Sequence, residues 1–218
     1  MARLEDTLHQ IYALKETNKN KQHGIKDKKS EGNNLWNEFE PTNFIYSFFV
    51  FNYIYNYDWE RSFNNNKLYE SHEKYESNKI YKMIEYFIRT NEKKTIQNYI
   101  DILKTNLPYK YKKSFNILSN IRDNTEKSKK FLTAFEEIYE VENDINKYIT
   151  KLKKIYYFIY KVRCNIFHGS KTEIQMIEHN QKQRMEIYTS LLLSINELFT
   201  IIAISESRGW GNHLVKRM

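Results

Sequence analysis

"KSKKFLTAFEEIYEVENDINKYITKLKKIYYFIYKV", Lys127 to Val162, decides the fold class of this chain. Phe131, Phe135, Ile138, Val141, Ile145, Tyr148, Ile149, Leu152, Ile155, Phe158 and Ile159 follow one another at intervals dominated by three and four residues. Those intervals line one stripe of an α-helix. The spacing predicts a single long helix over 127–162, and nothing in it alternates with the period of two that a half-buried strand needs.

The same period extends outward. Gln181 to Ser205 reads as a second long apolar helix. Upstream, Pro41 is suited to the first turn of a helix, where its missing N–H costs nothing, and an aromatic helix is expected from Pro41 to Asn56. A helix over Ser71 to Arg89 carries Tyr75, Ile80, Met83, Ile84, Phe87 and Ile88, and shorter ones are expected at Lys94 to Leu103 and, after Pro108, at Lys112 to Ile121. No internal repeat of fixed period is visible. The expectation is an all-α bundle whose two long core helices flank the stretch between them.

The ends read differently. Leu4, Leu8, Ile11, Tyr12 and Leu14 suit a short amphipathic helix, and Thr17 to Asn34, rich in Asn, Lys, Gly and Gln, reads as a polar linker. Residues 1–34 are therefore set apart from a helical domain at 35–206 and a basic tail at 207–218. The basic run Lys19 to Lys29 suits either a solvated linker or nonspecific attraction to RNA.

Composition bounds the partners. A chain of 218 residues suits one domain, and 18 Tyr and 13 Phe mean that large rings supply much of its core. The net charge of +8 favours polyanions: RNA, DNA or an anionic membrane surface. A lone cysteine, Cys164, allows no intrachain disulfide and no thiolate metal cluster, which fits a reducing compartment. Met1 to Lys15 is interrupted by charge where a secretory signal would be apolar. Phe44 to Tyr57 is too short to span a bilayer, and Tyr188 to Ile204 contains Asn196 and Glu197. Both suit buried helices of a cytoplasmic protein with no membrane partner.

Directly after the first long pattern comes "KVRCNIFHGSK", Lys161 to Lys171. On a continuous helix, Arg163 and His168 stand about 140° apart and do not share a face. They converge if the helix ends between them, and Gly169 is the residue type that most readily follows a helix C-terminus. A guanidinium can grip two phosphate oxygens and stabilise a five-coordinate phosphorus. An imidazole can take the proton of a 2′-hydroxyl or give one to the leaving 5′-oxygen. The scheme needs no metal and no cofactor, and no two His stand at zinc-ligand spacing on a common helix. One His is half of an acid/base pair, so a homodimer that brings two copies together is chemically more complete. Spacing alone is a weak signal, since an Arg and a His within six residues occur by chance in many proteins, and by itself it favours an ordinary helix end with a basic fringe.

The words "VRCNIFHGSK" resemble the Arg-x4-6-His motif of HEPN domains, α-helical modules of which many are metal-independent RNases, and most closely a "VRCNLFHGxK" variant with Ile166 in place of Leu. A second region agrees. "FIYSFFVFNYIYNYDWE", Phe44 to Glu60, is similar to the "F-N-x-x-Y" helix of that branch, with Phe51, Asn52 and Tyr55 matching. The resemblance covers about residues 35–206 and is specific mainly in the two motifs. It implies that Arg163 binds phosphate and stabilises the transition state, and that His168 is the catalytic acid or base. Asn165 and Asn52 would orient the pair or touch the RNA backbone, and Lys171 would add a phosphate contact. Many HEPN domains carry a polar residue where this chain has Cys164. The resemblance further implies a homodimeric endoribonuclease acting on tRNA, mRNA or rRNA, a toxin or antiviral effector that an antitoxin or sensor protein can hold in check. The alternative is a noncatalytic RNA-binding or assembly module of the same fold.

Overall fold

The computed structural model describes residues 40–56, 76–90, 92–120, 125–140, 144–167 and 179–206. The N-terminal segment, the C-terminal tail, His168, Gly169 and Lys171 lie outside them. Among the described residues there are seven helices and no strand: α1 (Glu40–Asn56), α2 (Glu76–Thr90), α3 (Glu92–Asn106), α4 (Tyr111–Ser119), α5 (Glu126–Glu136), α6 (Ile145–Phe167) and α7 (His179–Glu206). The protein is an all-α bundle, and α6 with 23 residues and α7 with 28 are its two long core helices.

One expectation is corrected. The stretch 127–162 is two helices, α5 and most of α6, with a turn at 137–140 between them. Two local features end α5 and begin α6. Carbonyls at the end of α5 and in the turn after it are taken by side chains: Tyr111 donates its hydroxyl to Glu136 O, Lys151 donates to Glu137 O at 3.3 Å, and Tyr148 donates its hydroxyl to Ile138 O at 3.1 Å. These replace the intrahelical donors that continuation would have supplied. Asp144 then starts α6, accepting the Asn146 N–H on its carboxylate at 2.9 Å and the Lys147 N–H on its carbonyl at 3.1 Å. Lys151, nearly buried, also pairs with the Glu137 carboxylate at 3.2 Å.

The rest of the layout follows from which helices are apolar on one stripe and which all round. α2 and α3 are amphipathic and pack against each other, while α1 and α7, whose apolar residues are spread around the helix and not confined to one stripe, make the most extensive helix pair in the bundle. α7 also lies along α3, and α6 along α2 and α5. Phe87 and Phe199 meet at 5.1 Å between α2 and α7, and Asn196 of α7 donates to Ser47 O of α1 at 3.0 Å. Within α7, Thr189, Ser190, Ser194 and Thr200 turn their hydroxyls onto the carbonyl four residues back, so the helix buries polar groups with their bonds made.

Tyr156 ties four helices together. It is fully buried in α6, stacks on Phe51 of α1 at 5.4 Å and donates its hydroxyl to Leu191 O of α7 at 2.8 Å. Its proton being so engaged, Tyr99 of α3 is the donor in the 2.8 Å bond between the two phenols. Burial pushes both hydroxyls well above their ordinary range. The window Gln181–Ile202 of α7 is long and apolar enough to cross a membrane, with mean hydropathy 1.3, yet 72% of it is buried in the bundle.

Candidate functional site

Tyr160, Arg163 and Cys164 stand three and four residues apart on α6 and so share one face near its end. That face meets α1 and the start of α2. The guanidinium carbon of Arg163 lies 5.3 Å from the centre of the Phe48 ring, and the Nε atom is removed from solvent. Phe48 is itself fixed, only 1% exposed and in edge contact with Phe51 at 5.8 Å and Tyr55 at 6.5 Å. A ring face in this position attracts the cation and restricts its rotamers.

Tyr55 completes the inner wall. It is 2% exposed, and its hydroxyl is removed from solvent. Burial foremost, then the Glu76 carboxylate, holds its phenol far above the usual tyrosine range, and Arg163 pulls in the opposite direction. Tyr160 is raised likewise by burial, then by the neighbouring Glu76 carboxylate and Cys164 thiol. Both phenols therefore keep their protons at neutral pH. Phe48, Glu76 and Tyr160 escape a sequence reading, although Tyr160 at three residues before Arg163 was signalled by helical spacing alone.

The other residues singled out by sequence divide. Asn52 is half-buried at the end of α1; its carboxamide oxygen accepts from Asn56 Nδ2 at 3.0 Å, and Asn56 in turn accepts from Lys79 of α2 at 2.8 Å. This amide relay ties α1 to α2 beside the Arg163 face. Asn165 is exposed and lines a cavity between α5, α6 and α7, away from Phe48. Residues two positions apart on a helix are separated by about 200°, so Arg163 and Asn165 cannot share a face. His168 and Lys171 lie outside the described residues, as does the expected stop at Gly169; helical geometry continues through Phe167.

No family model, curated protein or solved structure matches this chain. The chemistry is consequently read from the side chains alone. The described site offers a guanidinium seated on a ring, two protonated phenols, a carboxylate and a half-buried thiol. No cluster of three or more His, Cys, Asp or Glu able to hold a metal ion occurs among the described residues.

Proposed function

We propose that this chain is a HEPN-type, metal-independent endoribonuclease, a cytoplasmic toxin or antiviral effector that cuts tRNA, mRNA or rRNA. The observation that carries the reading is the meeting of its two motif regions: Arg163 of one sits over Phe48 and beside Tyr55 of the other, more than a hundred positions apart in sequence. In this account Arg163 grips the scissile phosphate. The 2′-oxygen attacks phosphorus as its proton passes to a base, the bond to the 5′-oxygen breaks, and that oxygen receives a proton from an acid. The products are a 2′,3′-cyclic phosphate and a 5′-hydroxyl.

His168, next in sequence after α6, supplies one of the two proton transfers, and the second copy in a homodimer supplies the other. Asn52, with Asn56 and Lys79, steadies the wall of the site, and Lys171 meets the RNA at its rim. An antitoxin or sensor protein restrains the activity.

RNA incubated with the purified protein in EDTA tests the reading. Fragments ending in cyclic phosphate and 5′-hydroxyl support it; fragments bearing 5′-phosphate, or cleavage that requires a divalent ion, contradict it. The second reading, a noncatalytic RNA-binding module, is favoured by the cationic cavity that Asn165 lines. RNA held uncut by the folded dimer is the result expected of it.

A further inference from the structure

On the side of α6 turned from Phe48, helices α5, α6 and α7 line a half-open cavity of about 280 Å³. Each helix contributes one cation to its lining: Lys127, Lys161 and Arg184. Asn165 and Gln181 add amides, and Phe158 and Tyr188 form an apolar wall. No carboxylate lines the cavity among the described residues. Three cations converging on a concave surface repel one another unless an anion joins them.

The cations are held in place. Arg184 donates through Nη2 to Asn120 O at 2.8 Å and through Nη1 to Gln181 Oε1 at 3.4 Å. Its Nε is buried with no hydrogen-bond partner among the described residues, a donor still owed an acceptor. Lys127 and Lys161 flank the ring of Tyr157 at 6.0 and 5.4 Å. Tyr188 is buried, and its phenol, raised by burial, is drawn down by Arg184 nearby. Phe158 stacks on Phe131 at 4.3 Å, which keeps the back wall rigid.

We propose that this cavity binds the phosphate of a single nucleotide unit. The charge selects an anion, and donors arriving from three helices suit a tetrahedral phosphate, which has acceptors in every direction, better than a planar carboxylate. A cavity of this size is at the small end of ligand sites, enough for one nucleotide unit and too little for a dinucleotide. The phosphate comes either from a free mononucleotide or from one position of an RNA strand. The site stands independently of cleavage at Arg163.

Calorimetric titration of the full chain with adenosine 5′-monophosphate, with adenosine, and with a short 2′-O-methyl RNA that cannot be cleaved tests the assignment. Wild type should bind the monophosphate, the strand or both, more weakly as salt rises, and should not bind adenosine. Lys127→Ala/Lys161→Ala should weaken that binding about tenfold or more with an unchanged melting temperature, since neither lysine is fully buried. Binding of the monophosphate identifies a free nucleotide as the source, and binding of the strand alone identifies RNA. Adenosine binding as tightly as the monophosphate, no binding of either phosphate ligand, or equal binding by the folded double variant would overturn the proposal.

Discussion

The Arg163 guanidinium carbon stands 5.3 Å from the centre of the Phe48 ring, joining the end of α6 to the middle of α1. This seat makes the arginine part of the core on one side and of the candidate site on the other. Phe48→Leu keeps most of the apolar bulk and removes the ring. The lost cation–π attraction, about 1 kcal/mol, should lower RNA cleavage about fivefold while the circular dichroism spectrum stays helical. Unchanged cleavage in a folded variant would show that the ring does not position Arg163.

The Tyr99–Tyr156–Leu191 chain is buried throughout. Tyr156→Phe leaves the Tyr99 hydroxyl without its acceptor and removes the donor to the Leu191 carbonyl. The expected loss is about 1 to 3 kcal/mol, a fall in melting temperature of about 2 to 4 °C for each kcal/mol. Tyr53→Phe, at an exposed position of α1, is the matched control and should leave the melting temperature unchanged.

Alkaline pH should unfold the protein. Tyr99, Tyr148, Tyr156 and Tyr188 are all raised, chiefly by burial, from the ordinary value of 10.0. Above that value the unfolded chain releases phenolic protons that the folded chain retains, so stability falls as pH rises. The contribution is fully present below pH 10 and is lost above it. Denaturant midpoints measured on both sides of pH 10 check this, with the last part of the tyrosinate absorbance, that of the buried phenols, rising together with loss of helix. Ionisation of all the tyrosines, the buried ones included, before any loss of helix would contradict it.

Asp144 is the hinge of the α5–α6 hairpin. Asp144→Ala removes the acceptor of the Asn146 N–H and should cost about 1 kcal/mol, read from denaturant unfolding; Asp144→Asn should recover most of it. Equal stability of the alanine variant would place the start of α6 under tertiary control alone.

That hinge also shows where sequence reading runs out. α1, α7 and the two-long-helix layout were legible because Pro41 marks a start and the apolar residues keep helical intervals. The same intervals concealed the break, since Ile138, Val141 and Ile145 continue the three- and four-residue spacing straight through the turn. Asn143 and Asp144 ahead of Ile145 were the available signal, a pair of capping residue types where the second helix begins. At the candidate site, Arg163 was singled out by its motif. Phe48 and Glu76 were not, because their closeness to α6 depends on how α1 and α2 pack. Asn165 could have been separated from Arg163 by helical geometry, which turns it toward the cavity.

Cleavage by Arg163→Ala beside wild type, in EDTA and on the same tRNA pool, tests the account at its centre. Wild type should cut to cyclic phosphate ends, and the variant, folded and of the same oligomeric size, should lose about a hundredfold or more in rate. Equal cleavage by the two proteins would remove Arg163 from the chemistry and contradict the account.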